Sequence, residues 1–351
     1  MSRVATGRLQ RVVGNDGSGP EDRAGTPLLE LRQVSRHFNL PRDGWRAAPP
    51  LRAVESVSLA LSAGEVLGLV GESGSGKSTL GRVALRLLEP MSGSVHFDGR
   101  DLSTLKGNDL RDLRQRMQMV FQDPYASLNP RRRVGAAIDE VLALHGLGDR
   151  TARAQRVGAL LEQVGLAADD AARLPREFSG GQRQRIAIAR ALAVGPDLLV
   201  ADEPVSALDV SVQAGILALL RDLQARLGLA MLFISHDLRV VEVMADRVMV
   251  LYLGRVMEVA PTRRLFTAPR HPYTAGLLAA APRPERRHAP AIVLRDEIPS
   301  PAAPPSGCVF RTRCPFALER CATEVPPLED LGDGHWRACL RDDLELTELP
   351  V

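Results

Sequence analysis

The chain has 351 residues, 45% hydrophobic and 25% charged, enough for a full core and about two domains. Its net charge of +3 is small beside 45 basic and 42 acidic residues, which gives no basis for wholesale nucleic-acid binding. No apolar run reaches the ~18 to 20 residues of a membrane-spanning helix, and the N-terminus lacks the apolar core of a signal peptide. Any work at a membrane would need another polypeptide to span it.

In chain order, residues 1–27 are rich in Gly, Ser, Arg and acidic residues and are expected to be a disordered tail. Leu29, Leu31 and Val34 begin a strand-like segment. After an insertion from Pro41 to Pro50, Leu51 to Leu59 reads as the second half of an antiparallel lead-in. Val66-Leu67-Gly68-Leu69-Val70 is almost wholly apolar, as a strand buried on both faces should be. Leu80, Val83, Ala84, Leu87 and Leu88 then recur at helical spacing until Pro90. Residues from about 108 to 196 read as mostly helical. Leu198 to Ala201 and Ala230 to Ile234 are two further short apolar runs, with Ile216, Leu220, Leu223 and Leu227 on one helix face between them. From about Pro261 the chain is Pro-rich and reads as a separate C-terminal appendage.

Strands alternating with helices predict an open α/β sheet, whose ligands bind beyond the carboxyl ends of the strands. Three pieces of chemistry lie at such ends. Gly71-Glu72-Ser73-Gly74-Ser75-Gly76-Lys77-Ser78-Thr79 fits G-x-x-x-x-G-K-[ST] between a strand and a helix. Its glycines let backbone N–H groups turn toward phosphate oxygens. Lys77 reaches the β- and γ-phosphates, and Ser78 offers a hydroxyl to Mg²⁺. Asp202 closes the second apolar run as a magnesium ligand, and Glu203 is placed to activate water. His236 follows the third.

Ser179-Gly180-Gly181-Gln182 opens another helical stretch and also suits a phosphate. A capped helix start with a Gly-rich turn is the plainer reading. With one cradle already at 71–79, a second one implies a phosphate held by a neighbouring molecule.

The ordered set resembles the nucleotide-binding subunit of ABC (ATP-binding cassette) transporters. The resemblance covers roughly residues 28–350. It implies a P-loop NTPase core with an antiparallel β lead-in, an inserted α-helical subdomain at about 108–196, and a small irregular C-terminal domain over 261–351, with the ATPase domain at 28–260. By motif, Gly71 to Thr79 is the Walker A loop and Gln122 the Q-loop glutamine, a further magnesium ligand. Ser179 to Gln182 is the signature motif, with Phe178 where Leu is commoner. Asp202 and Glu203 are Walker B and the catalytic glutamate. Ser206-Ala207-Leu208-Asp209 is the D-loop, and His236 the switch histidine. Phe38 stands where an adenine-stacking aromatic, often Tyr, is found. The family implies a head-to-tail dimer in which one subunit's Walker A loop and the other's signature motif share ATP. Gln122 would report the nucleotide state to the membrane subunits. Arg131-Arg132-Arg133 reads as a solvated basic run, or as part of that contact.

The insertion after Phe38, the run Phe121-Gln122-Asp123-Pro124-Tyr125-Ala126-Ser127-Leu128-Asn129-Pro130, His271-Pro272-Tyr273-Thr274 and the cysteine-bearing tail together resemble ATPases of oligopeptide/dipeptide importers, the insertion most like the second of the two. The implied partners are a second, different ATPase, two membrane permeases and an extracytoplasmic solute-binding protein. The implied place is the cytoplasmic face of the membrane.

Cys308, Cys314, Cys321 and Cys339 are separated by five, six and seventeen residues, unlike common zinc ribbons. Spacing leaves a metal or cluster site and inert thiols equally open; similar family tails imply an iron–sulfur cluster. Competing functions are a soluble ABC ATPase acting on ribosomes or DNA, an exporter ATPase, and a chain that binds ATP without turnover. A single cassette without a basic stripe disfavours the first. The importer-like tail disfavours the second, and intact Glu203 and His236 the third.

Overall fold

The computed structural model describes residues 26–40, 49–123, 128–280, 297–344 and 346. The expected tail and the insertion after Phe38 therefore lie almost wholly outside the described residues, as does the stretch 124–127 behind Gln122.

The chain begins with β1 (Leu29–Phe38), β2 (Leu51–Leu61), β3 (Val66–Val70) and α1 (Lys77–Ala84). Next come β4 (Ser92–Phe97), β5 (Arg100–Asp101), α2 (Gly107–Gln115), β6 (Met117–Val120), α3 (Val134–Leu144), α4 (Arg150–Gln163) and α5 (Gly180–Leu192). They are followed by β7 (Leu198–Asp202), α6 (Val210–Leu227), β8 (Ala230–Ile234), α7 (Leu238–Met244), β9 (Arg247–Tyr252) and β10 (Arg255–Pro261). The described chain ends with α8 (Thr262–Thr267), α9 (Pro272–Ala280), β11 (Glu329–Asp330) and β12 (Trp336–Arg337).

One sheet is antiparallel, in the order β2-β1-β4-β5; the other runs β11-β12-β10-β9-β3-β8-β7-β6. The centre of the larger sheet is parallel: Leu67 pairs with Leu232 on one side and Arg247 on the other. β3, β7 and β8 are buried at every position. Their alternate residues feed two cores. Val66, Val70, Met231 and Phe233 face the core shared with the helices. Leu67, Leu69, Leu232 and Ile234 face the core under the antiparallel sheet. With both faces covered, a period-2 strand reads as continuously apolar, which is why these strands were visible in the sequence.

Three elements depart from the sequence reading. α1 stops at Ala84, well short of Pro90, because Arg86 adopts φ 50°. The Leu87 N–H then reaches back to the Arg82 carbonyl at 2.8 Å, a left-handed helix closure that leaves Leu87 exposed. Within the region expected to be helical, Met117–Val120 forms β6, parallel to β7 with Met117 opposite Leu198. Ser92–Phe97 pairs with β1, a strand the apolar pattern did not mark.

The segment after Pro261 is sparse in regular structure, yet it is not separate. β12 extends the main sheet through β10, with Glu258 opposite Arg337. Glu258 is fully buried and accepts from the backbone N–H groups of Arg270 (2.7 Å) and His271 (3.1 Å) and meets His335 Nε2 at 2.7 Å. A carboxylate can be buried at this cost only when so fully partnered. Tyr252 of β9 packs on Tyr273 and Phe310 with ring centroids 4.8 and 5.4 Å apart, and Phe310, Val309, Cys308 and Cys321 join the same core as β3.

Candidate nucleotide site

The loop 71–79 leaves the carboxyl end of β3 and turns into α1. It is gripped from both sides: the Gly254 N–H donates to the Ser75 carbonyl at 3.0 Å, and Gly76 sits against β2. Gly76 has φ 98°, and a Cβ there would come 2.0 Å from the Ala53 carbonyl oxygen. Only glycine satisfies both demands. Lys77 is buried, and its Nζ donates to the carbonyls of Gly71 (2.8 Å) and Glu72 (2.9 Å) and to Ser75 Oγ (3.3 Å). Burial pulls its pKa down, opposed by the carboxylates of Glu203, Asp202 and Glu72.

Ser78, in the first turn of α1, donates through Oγ to Asp202 Oδ1 at 2.7 Å. Asp202 is buried at the end of β7; that burial raises its carboxyl pKa, with the Ser78 hydrogen bond and Arg82 acting the other way. A hydroxyl and a carboxylate side by side are oxygen donors of the kind a hard divalent cation takes.

Glu203 follows with φ 46°, a conformation uncommon for a residue with a Cβ. Its N–H is tied to the Ile234 carbonyl at 3.0 Å, and its own carbonyl accepts from Ser206 Oγ at 3.1 Å. This turn aims the side chain between two neighbours. Gln122 Nε2 donates to Glu203 Oε2 at 3.0 Å, and His236 Nδ1 lies 3.2 Å from the same oxygen. The structure thus gathers Gln122, Glu203 and His236 from the ends of β6, β7 and β8, next to the Ser78–Asp202 pair. Gln122, expected with Ser78 and Asp202 as a magnesium ligand, has its Nε2 on Glu203.

Ser179 caps α5: its Oγ accepts from the Gln182 N–H at 3.3 Å, and Gln182 Oε1 accepts from the Ser179 N–H at 2.9 Å. Ser179 itself is exposed, while Gly181 is pressed against α6, where a Cβ would meet Val212 Cγ1 at 2.3 Å. Asp209 caps α6 through Val212 N–H (3.0 Å) and Ser211 Oγ (2.7 Å), bonds that hold its carboxyl below the usual range. Leu208 lies 3.3 Å from where a Gly180 side chain would begin, so the stretch 206–209 abuts the Ser179 turn. Phe38 ends β1 opposite Leu51, two residues from the Ala53 that touches Gly76, and the Arg36 guanidinium lies 5.1 Å from its ring centre.

Sequence reasoning missed the groups that hold Glu72. Its N–H donates to Tyr273 Oη at 3.0 Å, and its carboxylate takes Arg313 Nη1 at 2.7 Å and Nη2 at 3.1 Å. Tyr273 was noted only within His271-Pro272-Tyr273-Thr274, and no spacing rule links residues 241 apart.

Comparison with known proteins bears on this geometry. A family model described as ABC transporter matches residues 54–206, and one described as oligopeptide/dipeptide transporter, C-terminal region, matches 257–321. A putative peptide import ATP-binding protein of Brucella ovis is 54% identical over 320 residues, 91% of this chain and 99% of that protein. The chain belongs to the ABC transporter family. The oligopeptide transport ATP-binding protein AppF of Bacillus subtilis is 48% identical, covering 89% of this chain and 96% of AppF. Among solved structures, the dimeric ATP-binding cassette MJ0796 bound to ADP and Pi is 28% identical with a TM-score of 0.58, covering 67% of this chain and 99% of that chain. The cassette is accordingly an ATPase, of α/β fold with a phosphate-loop core.

The cassette's four cysteines carry free thiols. The Cys308 N–H donates to the Cys321 carbonyl at 2.9 Å, and the Leu318 N–H reaches Cys321 Sγ at 3.4 Å. Burial, and after it the charges of the other cysteines, push the Cys308 thiol up to about 11 and Cys314 up to about 12. Cys339 is raised in the same way. The four therefore share one neighbourhood. Even so, no three His, Cys, Asp or Glu side chains among the described residues are gathered as metal ligands. The donor chemistry suits a cluster; the donors are not drawn together around one.

Proposed function

We propose that this ATPase powers import of oligopeptides, dipeptides or related solutes. The observation that carries the hydrolytic reading is the meeting of Gln122 and His236 on one Glu203 oxygen, beside the Ser78–Asp202 pair. The import reading is supported by the names of the Brucella and Bacillus relatives and by the C-terminal family model.

In this reading the loop 71–79 and the N-terminal end of α1 cradle the phosphates, and Lys77 exchanges its own loop's carbonyls for phosphate oxygens. Ser78, Asp202 and Gln122 would hold Mg²⁺, whose charge neutralises phosphate oxygens when it is bound. Glu203 orients a water and takes its proton. The water oxygen forms a bond to the γ-phosphorus, the bond to the ADP oxygen breaks, and phosphate leaves. His236 holds that geometry, and Phe38 offers its ring to adenine. The Ser179-Gly180-Gly181-Gln182 turn, exposed at Ser179, completes the pocket of a second cassette, with Ser206 to Asp209 at the same contact.

The partner is a second, different ATPase subunit. Two membrane permeases and, indirectly, an extracytoplasmic solute-binding protein complete the importer, and nucleic acid has no part. Among the described residues no helix is long and apolar enough to cross a membrane. This suits a peripheral place on the cytoplasmic face, where permeases do the spanning.

The four cysteines are proposed to hold an iron–sulfur cluster, a reading supported by the donor chemistry of their free thiols, although among the described residues no three of them are gathered as ligands. Iron, sulfide and visible absorption in anaerobically purified chain test this; absence of all three removes it.

Reconstitution tests the import reading. The chain, assembled with its permeases and second ATPase in vesicles, should drive ATP-dependent peptide uptake, and Lys77→Ala should abolish it. ATP-dependent extrusion of peptide by the same assembly would overturn the direction.

A further inference from the structure

We infer that Arg313 is a positioning residue for the phosphate loop, acting through Glu72. Glu72 is the second residue of that loop, and every polar group it owns is held. Its N–H goes to Tyr273 Oη at 3.0 Å and its carbonyl accepts from Lys77 Nζ at 2.9 Å. Its two carboxylate oxygens take the two prongs of Arg313 at 2.7 and 3.1 Å. A bidentate fork of this kind fixes direction as well as distance, which a single ammonium cannot do.

The Arg313 side chain is only 4% exposed, so the pair is little screened on that side. Arg313 also lies 5.8 Å from the centre of the Tyr252 ring, and its N–H is bonded to the Phe310 carbonyl at 3.0 Å. Phe310 packs on Tyr273 at 5.2 Å. The C-terminal segment thus reaches the loop through two side chains, Arg313 and Tyr273, that share one aromatic cluster.

Two consequences follow for a polyanionic ligand. An unpaired Glu72 carboxylate would stand in the loop as a like charge to the phosphates, and Arg313 neutralises it. With its side chain and N–H fixed, Glu72 also holds its carbonyl in one place, where it accepts from Lys77 until phosphate oxygens take over that bond.

The inference rests on the assignment of residues 71–79 to the phosphates, and the test separates the two. MgATP affinity of the full-length chain is measured for Lys77→Ala, Arg313→Ala, Arg313→Lys, Glu72→Gln and the Glu72→Gln/Arg313→Ala and Glu72→Gln/Arg313→Lys pairs. Lys77→Ala should lose ATP; unchanged affinity there would reject the loop assignment itself. Arg313→Ala should weaken ATP about tenfold, Arg313→Lys less, and Glu72→Gln least. In the Glu72→Gln background either Arg313 substitution should change affinity by less than about twofold. A residue that merely holds the C-terminal fold would weaken ATP equally in both backgrounds. That result, or unchanged affinity in Arg313→Ala, overturns the inference. Should Arg313→Ala not fold, the Arg313→Lys pair is scored by the same criterion.

Discussion

Ser78 Oγ lies 2.7 Å from Asp202 Oδ1, joining the first turn of α1 to the carboxyl end of β7 across 124 residues of chain. The bond holds a hydroxyl and a buried carboxylate at one spot between the phosphate loop and Glu203. Asp202→Asn keeps the shape and removes the charge. ATP turnover should fall by about 10²-fold or more, and half-saturation by Mg²⁺ should move to higher concentration. Ser78→Ala should show the same shift more weakly, about tenfold, as fits one hydrogen bond. A magnesium titration of ATPase rate checks both.

Gly76→Ala attacks the loop without touching a charged group. The new Cβ would press on the Ala53 carbonyl at 2.0 Å in a backbone at φ 98°. The variant should lose roughly 2 kcal/mol or more of stability, and ATP affinity with it. Urea unfolding and nucleotide titration read the two effects.

Gly181→Ala tests whether the exposed Ser179 turn depends on its seat against α6. A Cβ at 2.3 Å from Val212 Cγ1 must push the start of α5 away. The isolated chain should still bind ATP, while turnover in the assembled dimer falls. Val212→Ala makes room and should restore part of it.

His271 makes stability depend on pH. Full burial lowers its pKa from 6.5 to about 3, and it is held neutral, with Nδ1 accepting the Tyr273 N–H at 3.0 Å. Between those values the unfolded chain binds a proton that the folded chain refuses. Stability from this group is complete above about pH 6.5 and is lost as pH falls toward 3, at up to ~1.4 kcal/mol per pH unit. Denaturant unfolding between pH 6.5 and 5 should therefore slope downward, and His271→Asn should flatten that slope.

The residues of the proposed hydrolytic centre were legible as candidates because their chemistry is local. Gly71 to Thr79, Asp202-Glu203 and His236 each follow an apolar run buried on both faces, so strand and motif are read from the same few residues. β6 escaped because four residues, Met117–Val120, with only their ends buried, lie just after α2 in a helix-rich stretch. The early end of α1 escaped because it is set by Arg86 in a left-handed conformation, which no apolar spacing encodes. The Glu72–Arg313 pair joins residues 241 apart beside the Tyr252, Tyr273 and Phe310 cluster, and such a contact exists only once the fold has formed. The Gln122 amide was expected on magnesium with Ser78 and Asp202; its bond to Glu203 could not be read from residue type alone.

Glu203→Gln tests the central claim most directly. The substitution keeps an oxygen for its neighbours and removes the base. Turnover in the assembled transporter should fall by about 10²- to 10⁴-fold while ATP remains bound in a stalled dimer. A Glu203→Gln chain that hydrolyses ATP at the unsubstituted rate would contradict the account.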